Sequence, residues 1–182
     1  MIFNKTKFDS AYTIDLSPIE DERGFFARYF CENEFKDNNL NTEWKQINNS
    51  FSKDKFTLRG LHYQLAPSTE VKLVRCIKGS IWDVIVDLRE NSRTYREWFG
   101  TELSESNRRM MYVPKGFAHG FLSLSVNSEI IYLVSDFYSK ENERSLLWSD
   151  EAIGIKWPVK PQVISDKDSI APLLKDVLPV KN

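Results

Sequence analysis

The chain contains only two histidines, His62 and His119, and each lies in a short segment with other reactive side chains. Arg59 precedes His62 by three residues, and Gly60 lies between them. Because side chains three residues apart on a strand face opposite ways, Arg59 and His62 share a site only if Gly60 bends the backbone. Without that bend, His62 is a core histidine and Arg59 a surface arginine.

His119 ends a Pro-x-Gly-x-x-His segment, residues 114–119, whose spacing resembles the second cupin motif. In metal-binding cupins that histidine is a ligand, but such a site normally uses several histidines and a carboxylate. Only His62 is available to join His119, so we expect no metal. His119 is then either a turn histidine that bonds the backbone or a contact to a ligand phosphate or sugar.

Lys72 and two tyrosines are further candidates for proton transfer. Lys72 interrupts an apolar run, residues 71–74, and either faces solvent or lies inside a barrel, where a cation stabilises an oxyanion or enolate. Tyr132 and Tyr138 are six residues apart and would point the same way from a strand. Tyrosines in strands usually pack, yet a buried phenol opposite a histidine supplies the acid and base that stereochemical inversion requires.

The composition excludes several classes of protein. With 25 basic and 26 acidic residues the net charge is −1, so we expect no nucleic-acid partner and an anionic ligand held by a few placed cations. No segment approaches the roughly 20 apolar residues of a membrane span, and the N-terminus lacks an apolar signal segment. Cys31 and Cys76 have neither metal nor disulfide spacing. We therefore expect a cytoplasmic protein with no membrane partner.

Short runs rich in β-branched and aromatic residues predict strands at 12–16, 44–48, 71–78, 80–88, 109–113, 120–124 and 129–134. Gly79 predicts the tight turn of an antiparallel hairpin between two of them. Short helices are predicted at 31–37 and 165–174, with Ser165 as the cap of the second and Asp168 at its capping-box position. Trp157-Pro158 predicts a strand end followed by a surface tail.

No repeat, low-complexity tract or linker divides the sequence, so we expect one domain over residues 1–182. A hydrophobic content of 41% is sufficient for a sizeable core. The strand pattern predicts an all-β, cupin-like jelly-roll barrel with short peripheral helices. Closure removes exposed strand edges, and the mouth of such a barrel forms a ligand cavity.

A series of motifs over nearly the whole chain resembles the dTDP-4-dehydrorhamnose 3,5-epimerase family. In order they are Asp-x-Arg-Gly-Phe-Phe (21–26), Gln46-x-Asn48, Leu-Arg-Gly-Leu-His-Tyr-Gln (58–64), Lys-Leu-Val-Arg (72–75), Gly79 with Asp-Val-x-Val-Asp-Leu-Arg (83–89), Gly-Phe-Ala-His-Gly-Phe (116–121), Tyr132, Tyr138 and Lys167-Asp168. The resemblance implies a metal-free cupin jelly roll, usually a homodimer. It also implies cofactor-free epimerisation at C3, C5 or both of a nucleotide-linked 4-keto-6-deoxy sugar, in capsule or O-antigen synthesis.

On this resemblance His62 is the base and Tyr132 the acid. The 4-keto group acidifies the C3 and C5 protons, so a base removes a proton on one face and an acid returns it on the other. Lys72 steadies the enolate oxygen between these steps. Asp168 or Asp83 accepts the other ring N–H of His62 and holds one tautomer.

The resemblance also implies a set of substrate-binding residues. Arg59 and His119 meet the diphosphate, together with Arg23, which reaches across a dimer interface. Four other residues match binding positions of the family: Gln46, Asn48, Glu143 and Lys167. Tyr138 is also expected to bind the substrate.

Arg28 stands where family members specific for thymidine commonly carry a glutamate. A carboxylate accepts a hydrogen bond from thymine N3–H, whereas arginine only donates and suits acceptor edges such as guanine O6 and N7. The same chemistry on a GDP- or CDP-linked sugar is therefore a second candidate beside a dTDP sugar. A 3,4-ketoisomerase on this scaffold, a metal cupin oxygenase or isomerase, and a non-catalytic cupin that binds a sugar nucleotide are also compatible with the fold.

Overall fold

The computed structural model describes residues 1–181; Asn182, the last residue of the expected domain, lies outside the described residues. Strands form most of the regular structure. Their bounds are β1 Ile2–Lys5, β2 Tyr12–Asp15, β3 Ile19–Asp21, β4 Gly24–Phe26, β5 Gln46–Ser52, β6 Thr57–Gln64, β7 Lys72–Lys78, β8 Ser80–Asp87, β9 Trp98–Ser104, β10 Met110–Val113, β11 Phe117–Ser123, β12 Ser128–Val134, β13 Glu143–Ser145 and β14 Val163–Ile164. The helices are α1 Glu32–Asp37 and α2 Asp166–Ser169, with a 3₁₀ turn at Leu174–Asp176.

Two sheets of six strands face each other across the core. The first has the order β1-β2-β10-β7-β12-β5, and the second has the order β13-β6-β11-β8-β9 with β14 pairing in parallel to β6. Side chains from both sheets, such as Val74 and Ile130 of the first and Ile85 and Phe121 of the second, form one buried cluster. This arrangement confirms the predicted all-β, cupin-like jelly roll.

The outer faces of both sheets are also covered. Helix α1 places Phe35, which is fully buried, against Tyr112 and other aromatic side chains on the outer face of the first sheet. The predicted helix at 31–37 is therefore confirmed to within one residue. Apolar burial on this face stabilises the fold while the polar remainder of α1 stays in solvent.

The predicted hairpin at Gly79 is wrong, although the turn itself is present. Gly79 has a φ of +71°, as such a turn requires, but β7 and β8 belong to different sheets. β7 pairs with β10 and β12, whereas β8 pairs with β9 and β11. The turn therefore carries the chain from one sheet to the other and helps to enclose the core.

The predicted helix at 165–174 is too long, since α2 ends at Ser169. Pro172 has no N–H to continue the helix and disfavours a helical conformation in the residue before it. The capping prediction is confirmed, because the Ser165 side chain accepts a hydrogen bond from the Asp168 backbone N–H at 3.1 Å.

The expected surface tail after Trp157-Pro158 is also a wrong prediction. No strand ends there within residues 1–181, and the segment that follows packs against the second sheet. Leu174 and Val180 are buried, and Val180 forms a parallel bridge with Arg89. Their burial covers Val84, Val86 and Leu88, which an exposed tail would have left in solvent.

A substitution at Gly60 tests how closely β6 and β11 must pack. It has a φ of +113°, and a Cβ there would lie 2.6 Å from Gly120 Cα and 2.8 Å from the His119 carbonyl oxygen. We expect Gly60→Ala to lower the free energy of unfolding by about 3 kcal/mol, from backbone strain and overpacking. Gly24→Ala is the control, since Gly24 has a φ of +124° with nothing within 4 Å of the added Cβ. Urea unfolding should show a loss of about 1 kcal/mol for the control, from strain alone; equal losses would contradict the close approach.

Candidate active site

A cavity of about 490 Å³, here called the main cavity, opens among β6, β7, β11, β12 and α2. A smaller one of about 200 Å³, the side cavity, shares three of its lining residues: His62, Lys72 and Tyr132. These three side chains come from three different strands, β6, β7 and β12, which the jelly roll brings together.

Most of the residues expected from the sequence line one of these cavities. The main cavity holds Arg59, His62, Lys72, His119, Tyr132, Lys167 and Asp168. The side cavity adds Gln46, Asn48, Tyr138 and Glu143. Three expected residues line neither cavity: Arg23, Arg28 and Asp83.

His62 is bonded to Asp168, which α2 presents to β6. His62 Nε2 lies 2.7 Å from Asp168 Oδ1, and Asp168 Oδ2 accepts a hydrogen bond from Gly60 N at 3.1 Å. Burial raises the pKa of this carboxyl, but the hydrogen bonds and the charge of His62 lower it more, so the pKa lies below its usual 3.8. Asp168 is therefore an ionised partner that fixes the orientation and tautomer of His62.

Gly60 provides the bend that the sequence requires if Arg59 and His62 are to share a site. Both side chains line the main cavity although they are three residues apart on β6. Arg59 is held in place by its Nη2, which donates to the Phe51 carbonyl oxygen at 2.9 Å. The guanidinium is thus oriented before any ligand arrives.

Asp83 serves His119 and not His62, which corrects one of the two expected partners. Asp83 Oδ2 lies 2.7 Å from His119 Nε2, and the carboxylate is fully buried. Asp83 Oδ1 has no hydrogen-bond partner within residues 1–181. His119 itself lies within β11, not in a turn, and its side chain bonds to Asp83.

Lys72 and Tyr132 both line the cavities, and Tyr132 also packs against the buried core. Lys72 is only 9% exposed, so of its two alternatives the structure supports the position inside the barrel and not the solvent-facing one. Tyr132 is half-buried, and burial and the charge of Glu70 raise its pKa above the usual 10, against an opposing effect of Arg59. The phenol is therefore neutral at physiological pH and able to act as an acid.

Tyr138 lies beyond the end of β12 at Val134, so its position does not follow from strand alternation with Tyr132. Its side chain is exposed, and its hydroxyl donates to Glu143 Oε2 at 3.1 Å. Glu143 also pairs with Lys167 Nζ at 2.7 Å. Burial raises the Glu143 pKa, but the opposing effects of Lys167 and Tyr138 are larger, so the pKa lies below its usual value. This carboxylate at the rim is therefore ionised.

Arg23 and Arg28 are the expected binding residues that the structure does not bring to a cavity. Arg23 is on the turn between β3 and β4, and its Nη2 bonds Asp21 Oδ2 at 2.6 Å. Arg28 Nη1 lies 3.9 Å from Glu34 Oε1. Both side chains are exposed.

Glu70 and Gln64 line the side cavity but are absent from the expected binding set. Glu70 Oε1 is 3.1 Å from Lys72 Nζ, and Gln64 Nε2 donates to Glu70 Oε2 at 3.2 Å. The available signal was the spacing, because residues two apart in extended chain point the same way, so a cavity-facing Lys72 brings Glu70 with it.

The structure also bears on metal binding and membrane insertion. Over residues 1–181 no group of three or more His, Cys, Asp or Glu side chains is placed to hold a metal ion. No helix in that range is both long and apolar enough to cross a membrane.

Known proteins match this sequence and fold over almost their full length. The family model described as dTDP-4-dehydrorhamnose 3,5-epimerase matches residues 5–176. The chain belongs to this family. The Shigella flexneri dTDP-4-dehydrorhamnose 3,5-epimerase is 45% identical, over 90% of this chain and 91% of that protein.

Two solved structures of epimerases have the same fold. The Elizabethkingia anophelis dTDP-4-dehydrorhamnose 3,5-epimerase superposes with a TM-score of 0.93 at 41% identity, covering 97% of both chains. The Legionella pneumophila enzyme, solved with dTDP-4-keto-L-rhamnose, has a TM-score of 0.92 at 37% identity, covering 100% of this chain and 98% of that one. The present chain is accordingly an isomerase of the epimerase type.

The bond between Asp168 and His62 predicts a large catalytic effect of a small substitution. Asp168→Asn keeps the shape of the side chain but removes the charge that fixes the His62 tautomer, so we expect kcat to fall about a hundredfold or more. Asp166→Asn is the matched control, because Asp166 is exposed on the same helix and lies outside both cavities. Solvent deuterium exchange into substrate measures the rate; similar rates for the two variants would exclude the assigned role of Asp168.

The same two variants should differ in the pH dependence of stability. Because the folded-state pKa of Asp168 is depressed, its contribution is present above its usual value of 3.8 and is lost as the pH falls through the folded value. The stability advantage of the wild type over Asp168→Asn should therefore shrink below that pH in chemical unfolding. An advantage independent of pH would contradict the ionised pair.

Proposed function

We propose that this epimerase inverts C3, C5 or both of a dTDP-linked 4-keto-6-deoxy sugar, with His62 as the base and Tyr132 as the acid. The observation that carries the assignment is the meeting of His62, Lys72 and Tyr132 where the two cavities join. An epimerase needs a base, a stabiliser of the enolate and an acid around one sugar ring, and these side chains supply the three functions.

Proton removal falls to Nδ1 of His62. Its Nε2 is bonded to the Asp168 carboxylate, which places the ring proton on Nε2 and leaves the Nδ1 lone pair as the acceptor. The C–H next to the 4-keto group loses its proton to Nδ1, and the electron pair moves onto the keto oxygen. Asp168 then stabilises the imidazolium that forms.

Lys72 stabilises the enolate before Tyr132 returns a proton. A buried ammonium acts more strongly on a developing oxyanion than an exposed one, because little water screens it. Tyr132 supplies its phenolic proton to the ring carbon from its own side of the sugar, and the enolate collapses to the ketone. Delivery to the face opposite His62 inverts the centre.

The diphosphate is assigned to Arg59 and His119 in the main cavity, with Lys167 at its edge. Arg59 is already oriented by the Phe51 carbonyl, so a phosphate meets a fixed fork of donors. We assign Gln46, Asn48, Tyr138 and Glu143 to binding the substrate in and around the side cavity.

The base is proposed to be thymine. The relatives are named for dTDP sugars, and the Legionella structure contains one. Arg28, which raised GDP and CDP as candidates, faces Glu34 and lines neither cavity of its own chain. A cytoplasmic location is proposed as well, supported by two unpaired cysteines within residues 1–181.

Proton exchange tests the reaction and the two residues together. We expect NMR in deuterated water to show exchange at C3, C5 or both with the dTDP-linked 4-keto-6-deoxy sugar, and at least tenfold less with GDP- or CDP-linked ones. His62→Ala should lose the exchange and Tyr132→Phe should lose the inverted product, whereas Tyr95→Phe, outside both cavities, should retain both. Wild-type exchange in His62→Ala, or wild-type inversion in Tyr132→Phe, would refute the role of the residue changed.

The product distinguishes epimerisation from the competing activities in the same samples. A 3,4-ketoisomerase would move the carbonyl from C4 to C3, and a binding protein would hold the sugar nucleotide without exchange. A metal cupin would contain near-stoichiometric metal by elemental analysis and lose activity on chelation.

A homodimer is proposed to complete the site through the hairpin of β3 and β4. This hairpin pairs with neither large sheet and exposes Ile19 and Phe26, which are 71% and 64% exposed. An exposed apolar hairpin of this kind favours burial against a second copy. It also carries Arg23, which would then reach the diphosphate bound by the partner.

Phe26→Asp should therefore yield a monomer with at least tenfold lower activity, because a charge in an apolar interface is costly and Arg23 is withdrawn. Leu178→Asp is the control, since Leu178 is 81% exposed and distant from the hairpin in sequence. Light scattering gives the mass, and deuterium exchange gives the activity. A fully active Phe26→Asp monomer would refute the shared site.

A further inference from the structure

Glu70 is a carboxylate of the side cavity that the proposed reaction does not use. Its side chain and that of Lys72 are each 11% exposed, and they form an ion pair at 3.1 Å between Oε1 and Nζ. Ion pairs withdrawn from water in this way are costly unless their geometry is well satisfied. This cost indicates that the pair of Glu70 and Lys72 has a role beyond stabilising the fold.

The second oxygen of Glu70 is held by Gln64. Gln64 is buried, and its Nε2 lies 3.2 Å from Glu70 Oε2, 3.0 Å from the Ser68 carbonyl and 3.2 Å from the Phe137 carbonyl. Its Oε1 accepts a hydrogen bond from Ser139 N at 2.7 Å. Glu70 is thus fixed from both sides, by Lys72 and by an amide that is itself anchored to three backbone groups.

We propose that Glu70 is a positioning residue of the epimerisation, which fixes the Lys72 ammonium where the main and side cavities meet. The inference rests on the proposed function. The Lys72 ammonium has three N–H donors and meets a single Glu70 oxygen, Oε1, so donors are left for the keto oxygen that becomes the enolate oxygen. A tethered ammonium needs little reorganisation when the negative charge develops.

Glu70 also acts on the electrostatics of Tyr132. Its negative charge adds to burial in raising the Tyr132 pKa, while Arg59 opposes both. The other titratable groups around the two cavities are His62, Tyr63, Lys72, His119, Tyr138, Glu143, Lys167 and Asp168. Three carboxylates line the two cavities, namely Glu70, Glu143 and Asp168, and Glu70 is the one that contacts Lys72.

Glu70→Gln is the sharpest test, because it keeps the shape and an acceptor for Lys72 and Gln64 but removes the charge. We expect kcat for deuterium exchange to fall about fivefold with KM within about twofold of wild type, since the ammonium is less well placed for the enolate. The alkaline limb of the kcat profile should move to lower pH, because the phenol then loses its proton more readily. Glu129→Gln is the control: Glu129 is on the same strand as Tyr132 but lines neither cavity.

Two outcomes overturn the inference. One is a Glu70→Gln enzyme whose kcat and alkaline limb match those of wild type and Glu129→Gln. The other is a lower melting temperature with an unchanged pH profile, which would show a purely structural role. If the wild type itself exchanges no proton, the proposed function fails, and ultraviolet titration of the tyrosinate tests Glu70 separately. With Tyr132→Phe as the subtraction standard, an unshifted Tyr132 titration in Glu70→Gln would then refute the effect of Glu70.

Discussion

The close approach of two glycines, Gly60 on β6 and Gly120 on β11, is the constraint on which the site depends. A Cβ on Gly120 would lie 2.7 Å from the Arg59 carbonyl oxygen and 3.2 Å from Gly60 Cα. With neither side chain present, β6 bends at Gly60 and directs both Arg59 and His62 into one cavity. The Gly60 N–H then bonds the same Asp168 carboxylate that holds His62. The bend and the pair of His62 and Asp168 are one structural unit.

The sequence predicts those strands and turns that depend on local residue patterns. It does not predict which strands pair when they are distant in the sequence. Strands β7, β8 and β12 are apolar, and their predicted bounds agree to within about one residue. β6 is missing from the predicted strands, because its arginine, glycine and histidine break any regular alternation. The turn at Gly79 is predictable from one residue, but the switch of sheets that it makes depends on which strands lie beside β7 and β8.

The same limit applies to the site. The residue types of the acid, the base and the cation can be read from the sequence, but their partners cannot. Asp168 and Asp83 are equal candidates for His62 in the sequence, and the structure distributes them, giving Asp168 to His62 and Asp83 to His119. Asp168 lies 106 residues from His62 in the sequence, and Asp83 lies 36 residues from His119. Which aspartate meets which histidine therefore depends on how the strands assemble into sheets. Arg23 and Arg28 are on or near the hairpin of β3 and β4, which pairs with neither large sheet.

Most basic side chains of the cavities already have a carboxylate partner, which limits the positive charge available to bind a diphosphate. His62, His119 and Lys72 each have a carboxylate of their own, namely Asp168, Asp83 and Glu70. Lys167 is paired with Glu143, so within residues 1–181 Arg59 is the cavity cation that has no carboxylate partner.

A diphosphate carries more than one negative charge, and burying it against a single free guanidinium leaves charge unbalanced. In the proposed dimer, Arg23 from the hairpin of a second copy would supply a second cation. Its own pair with Asp21 is exposed to solvent, so that pair is weak enough to be exchanged for a phosphate.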